Sequence, residues 1–181
     1  TMLGVGEMLY FIASQTATGV ELWKTDGTGP GTAMVKDINA EPNGSAVEPN
    51  GSPVEDLVEA GPYVFFRATT AETGAMLWRT DGTEAGTILL KGTVPGVPSG
   101  YPTNITAMGD QVFFSGGGGS TNGELWKSDG TPEGTVLVKD IWSGNYGSRP
   151  QNMMVIGSTL YFSAVDGTDA RELWESVGTA A

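Results

Sequence analysis

Four copies of one pattern stand in register around Trp23, Trp78, Trp126 and Trp174, so the chain must fold as repeated units. The tryptophans are spaced 55, 48 and 48 residues apart. Each copy carries an aromatic doublet, Tyr10-Phe11, Phe65-Phe66, Phe113-Phe114 or Tyr161-Phe162, preceded at a fixed offset by Gly6, Gly61, Gly109 or Gly157. The long first spacing has a visible source in the near-duplicate heptads 41–47 and 48–54, both built on Glu-Pro-Asn-Gly-Ser. A Pro/Asn/Gly segment is where a surface loop accepts an insertion without disturbing a core.

Within a copy the sequence reads as four short strands, as in Ile105 to Met108, Gln111 to Ser115, Gly123 to Lys127 and Thr135 to Ile141. The second strand alternates and the fourth carries the β-branched run Val136-Leu137-Val138, whereas no helical period competes. Between the third and fourth strands stands Asp-Gly-Thr-x-x-Gly-Thr, at Asp26 to Thr32, Asp81 to Thr87 and Asp129 to Thr135. Aspartate accepts backbone amides two residues on and glycine supplies positive φ, so Asp26, Asp81 and Asp129 are expected to cap hairpin turns. A sheet with two apolar faces covers both only by stacking on its neighbours, and radial stacking gives a β-propeller. A β-helix repeats at a much shorter period and a helical solenoid needs helices. Immunoglobulin-like repeats would run to about 100 residues each. The expected fold is therefore all-β, a single β-propeller domain or propeller segment over 1–181. Its blades lie at approximately 1–49, 50–100, 101–148 and 149–181, the last incomplete.

Composition narrows the chemistry. Among 181 residues there is no His and no Cys, which removes Ser-His and Cys-His pairs, His/Cys zinc sites and disulfides. With 9 Lys and Arg against 21 Asp and Glu, the net charge of −12 argues against nucleic acid, and no apolar run is long enough to insert into a bilayer.

The segments Glu21-Leu22-Trp23-Lys24-Thr25-Asp26-Gly27-Thr28 and Glu124-Leu125-Trp126-Lys127-Ser128-Asp129-Gly130-Thr131 resemble the signature of the bacterial ELWxxDGT-repeat proteins. The likeness spans all four copies. The second departs mildly at Ala75-Met76-Leu77-Trp78-Arg79, and the fourth has Glu175 in place of the basic residue and Val177 in place of the aspartate. The resemblance implies a secreted or cell-surface repeat protein of propeller type and no catalytic residue.

The four repeated tryptophans are read as core, one large ring per unit packed between neighbouring sheets. Trp142 is different, because its equivalents in earlier copies are Val94 and Asn39. With Asn145, Tyr146 and Arg149 it makes a loop composition suited to a glycan or protein contact, against the plainer reading of an aromatic folded onto the blade edge. Lys36-Asp37, Lys91-Gly92 and Lys139-Asp140 read as solvated strand ends. Glu55-Asp56 or Asp166 with Asp169 would serve as glycosidase carboxylates only if a cleft brought two of them within about 5–10 Å.

Stepping back by the repeat spacings from Asn152 reaches Asn104, Asp56 and Thr1, four side-chain oxygens at the starts of the inner strands. Such a ring would hold Ca²⁺, with Asp56 as its charge; the plainer reading is that each residue caps a turn. No other cofactor is expected.

Met2-Leu3 aligns with Ile105-Thr106, and the fourth copy stops before its fourth strand. The expectation is a segment of a longer polypeptide, or open edges completed by another chain. The expected function is a non-catalytic extracellular or cell-surface scaffold for protein assembly or adhesion, including self-association. The alternative is a lectin-like module that binds glycans, and a remoter one is a carboxylate glycosidase.

Overall fold

The computed structural model describes residues 1–38, 57–70, 72–90, 101–117, 123–144, 146–168 and 170–179. Every regular element in them is a strand. The first sheet holds β1 (Met2–Val5), β2 (Met8–Gln15), β3 (Gly19–Thr25) and β4 (Ala33–Met34). The second holds β5 (Leu57–Ala60), β6 (Tyr63–Thr70), β7 (Gly74–Thr80) and β8 (Ile88–Leu89). The third holds β9 (Thr103–Met108), β10 (Gln111–Gly116), β11 (Glu124–Ser128) and β12 (Val136–Lys139). The fourth holds β13 (Gln151–Ile156), β14 (Thr159–Val165) and β15 (Arg171–Ser176). Each sheet is an antiparallel meander in chain order. Gly6, Gly61, Gly109 and Gly157, with φ between +55 and +63, open the two-residue turns from first to second strand. A left-handed backbone matches the twist of such a tight hairpin, which is why glycine holds that offset in all four copies.

Alternation along the strands gives every sheet a forward face, toward the next sheet in the chain, and a backward face. Three joints result. In the first, Tyr10, Leu22 and Val35 meet Leu57, Val64, Phe66, Met76 and Trp78. In the second, Phe65, Leu77 and Leu90 meet Ile105, Val112, Phe114 and Trp126. In the third, Phe113, Leu125 and Val138 meet Leu160, Phe162, Ala164 and Trp174. The first aromatic of each doublet and the Leu before each Trp thus serve the forward face. The second aromatic and the Trp serve the backward face. In the second and third sheets neither aromatic can be spared, because each belongs to a different joint.

The first strands lie side by side, β1 on β5, β5 on β9 and β9 on β13. Among the described residues no comparable packing joins β13 to β1. Among the described residues the sheets therefore form a row whose first backward face and fourth forward face are left uncovered.

Candidate functional site

Each internal joint is tied by a cation from the third strand of its first sheet. Lys24 Nζ donates to the Gly82 carbonyl at 2.7 Å, Arg79 Nε to Gly130 at 3.0 Å, and Lys127 Nζ to Gly178 at 2.6 Å. The acceptor is always the glycine after the third strand of the following sheet. That glycine also admits an aromatic from the sheet before it. A Cβ on Gly82 would lie 2.5 Å from Tyr10 Oη, one on Gly130 2.6 Å from the Tyr63 ring, and one on Gly178 2.9 Å from Phe113. Lys36 adds a bond to the Thr87 carbonyl at 3.1 Å, so it is a tie between sheets and not the solvated strand end its sequence suggests.

The turn around this glycine is fixed by Asp and Thr. Asp81 Oδ1 accepts the Thr83 amide at 2.9 Å and the Thr83 hydroxyl at 2.7 Å, and the Thr83 hydroxyl accepts the Gly86 amide at 2.9 Å. Asp26 and Asp129 repeat the arrangement. A Cβ on Gly31, Gly86 or Gly134 would fall inside the neighbouring carboxylate, so the second glycine of the motif makes room for the first residue's side chain. The Thr hydroxyl and amide hold the Asp26, Asp81 and Asp129 carboxyls below their ordinary range. Asp166 caps the β14–β15 turn through Thr168 in the same way. Its proposed companion Asp169, and the pair Glu55 and Asp56, lie outside the described residues.

The glutamate that opens the repeated Glu-Leu-Trp segment is a buried clamp. Glu124 accepts the Ile141 and Ser148 amides, each at 2.9 Å, and the Ser148 hydroxyl at 2.6 Å. The connector to the fourth sheet is held there. Glu21, fully buried, accepts the Ile38 amide at 3.3 Å. No local signal announces this role, since the partners lie 17 and 24 residues away.

Trp78, Trp126 and Trp174 sit in the three joints, whereas Trp23 lies half-buried on the free backward face of the first sheet. The Trp142 and Tyr146 rings stack at 4.9 Å and 17°. Trp142 packs its indole edge over Gly167, while Tyr146 stays exposed. Arg149 joins the loop through its backbone, its amide donating to the Gly123 carbonyl at 2.8 Å and its carbonyl accepting Arg171 Nη1 at 2.9 Å. Asn145 lies outside the described residues.

Of the expected oxygen ring, Asn104 and Asn152 are described, and Asp56 lies outside the described residues. Asn104 and Asn152 adopt φ of +57 and +54, a left-handed conformation that Asn tolerates better than most residues. Their amide nitrogens donate, Asn104 to the Pro150 carbonyl at 3.3 Å and Asn152 to Ser163 Oγ at 3.1 Å. Among the described residues no group of three acidic side chains converges.

The two free faces are the remaining feature. Leu22, Leu77 and Leu125 are 1%, 3% and 1% exposed in their joints, and their counterpart Leu173 is 77% exposed. Met154 and Ile156 share its face and are exposed as well. At the other end Met2 and Leu9 are exposed, and a Cβ on Gly27 would meet nothing within 4 Å.

The chain matches no protein-family model and no curated protein sequence. Among solved structures it is similar to a puromycin hydrolase S511A mutant complexed with PGG, at 14% identity and a TM-score of 0.59 over 97% of this chain and 26% of that one. It is similar also to a structure from a study of two prolyl endopeptidases, at 12% identity and a TM-score of 0.59 over 97% of this chain and 24% of that one. The chain spans about a quarter of those structures. At such identities the likeness is one of fold. Both structures carry the names of enzymes.

Proposed function

We propose that the chain is a non-catalytic scaffold of β-propeller type, its four sheets acting as blades, that assembles protein through the free faces at the ends of the row. One observation carries the reading. A leucine that is buried in three successive joints is 77% exposed in the fourth sheet, on the same face as exposed Met154 and Ile156. Large apolar side chains left exposed on a face whose counterparts are buried point to an interaction site. The resemblance of Glu124 to Thr131 to the bacterial ELWxxDGT repeats favours a secreted or cell-surface setting. Against catalysis stand the absence of His and Cys from the sequence and the commitment of Asp26, Asp81, Asp129 and Asp166 to turns. Sedimentation equilibrium of the chain and of Leu173→Asp tests the reading. Association that the variant abolishes, with its fold intact, is the expected result; a chain that stays monomeric at every concentration contradicts it.

A second reading, glycan binding, has the stacked Trp142–Tyr146 pair in its favour, since the exposed Tyr146 ring presents a face on which a sugar can lie. Tryptophan fluorescence that shifts with a glycan, and not in Tyr146→Ala, is its signature. No shift across a panel of plant and bacterial glycans dismisses it.

A further inference from the structure

The forward faces share a row of three alternate residues on the third strand. In the first three sheets it reads Val20-Leu22-Lys24, Ala75-Leu77-Arg79 and Gly123-Leu125-Lys127; in the fourth it reads Arg171-Leu173-Glu175. Both ends of the row have changed. A small or aliphatic residue has become a cation, and the cation that ties each joint has become an anion. Register places Glu175 beside Tyr161 and Leu173 beside Ser163, with Met154 next to Tyr161 on the same face.

This change acts against a head-to-tail contact between copies. In such a contact the fourth forward face would cover the first backward face, and position 175 would meet the Gly27 carbonyl as Lys24 meets Gly82. A carboxylate there opposes another acceptor with no donor between them, and both lose water. Mispaired groups of this kind exclude a partner more effectively than missing attraction does.

From the charge order of the row we infer that the fourth forward face docks against the same face of a second copy, about a two-fold axis through Leu173. The inference rests on the assembly reading above and names its partner. A two-fold axis makes contacts reciprocal, so Arg171 of each copy meets Glu175 of the other while Leu173 packs on Leu173. Positions 171 and 175 lie about 13 Å apart along the strand, symmetric about 173. Stacked sheets lie about 10 Å apart, a gap that an arginine and a glutamate span together. Arg171 uses Nη1 for the Arg149 and Ser163 carbonyls, each at 2.9 Å. The guanidinium has five N–H groups, so donors remain for a carboxylate. Met154 and Ile156 stand exposed on the same face at the far strand, beyond Tyr161 and Thr159.

The test is sedimentation equilibrium of the full chain, of Arg171→Glu, and of the double exchange Arg171→Glu with Glu175→Arg. All the altered positions are exposed, and circular dichroism checks each fold. The wild-type chain is expected to reach a dimer and stop. Arg171→Glu sets like charges together twice and weakens the dimer roughly tenfold or more, and the double exchange recovers most of that loss. An association that Leu173→Asp removes but that grows past the dimer overturns the two-fold arrangement and leaves the assembly reading standing. A dimer that the double exchange does not recover has the same meaning. A wild-type monomer throughout removes both.

Discussion

At the residue scale, the spacing of the repeated turn is set by side-chain volume. Gly31 leaves the space that the Asp26 carboxylate fills, and Gly29 in the same turn has nothing within 4 Å of where a Cβ would stand. Gly31→Ala is therefore expected to destabilise the fold by displacing the carboxylate from its donors, and Gly29→Ala to leave stability nearly unchanged. Chemical denaturation of the two variants checks the contrast. The same turns give stability a pH dependence. Thr83 and Thr131 hold the Asp81 and Asp129 carboxyls low, so the folded state binds protons less readily than the unfolded one. Their contribution is complete above the ordinary carboxylate range and is lost as pH falls through the lowered folded values. Thermal midpoints recorded from neutral pH downward are expected to drop less steeply in Thr83→Val with Thr131→Val than in wild type; an unchanged slope contradicts the assignment. These caps were legible in the sequence because donor and acceptor stand two residues apart. The left-handed Asn104 and Asn152 were not, because the same residue type suits a cap, a ligand or a positive φ.

At the scale of the element, the repeat shows where each strand lies and which residues alternate, and the third copy's strands fall where its apolar runs and turn residues place them. The long-range ties were illegible. Lys24, Arg79 and Lys127 reach carbonyls 58, 51 and 51 residues away, and Glu124 holds Ser148 across 24 residues. Nothing local distinguishes such residues from solvated charges. Paired substitutions at matching positions separate the roles. Glu124→Ala strands two amides and a hydroxyl and is expected to cost about 2–4 kcal/mol, while Glu172→Ala at the exposed counterpart changes stability by less than about 0.5 kcal/mol. Leu125→Ala should cost about 2–5 kcal/mol for the cavity it leaves, and Leu173→Ala almost nothing in the monomer. Equal losses within either pair in a thermal melt would mean that the fourth sheet is not a free end.

At the scale of the whole molecule, three joints built on one plan leave two faces uncovered, and the fourth sheet is the one that departs from the plan. Glu175 and Val177 were visible as departures in the sequence. Their meaning depends on geometry, since only the structure shows what a cation at position 175 would have reached. The central claim is that the forward face of the fourth sheet is covered in solution as its three counterparts are covered within the chain. Hydrogen exchange read segment by segment, at low and high protein concentration, tests it most directly. The amides of β11 behind Leu125 should be protected at both concentrations, and those of β13 and β15 around Met154 and Leu173 should gain protection only as concentration rises. Exchange in β13 and β15 that does not respond to concentration would contradict the claim.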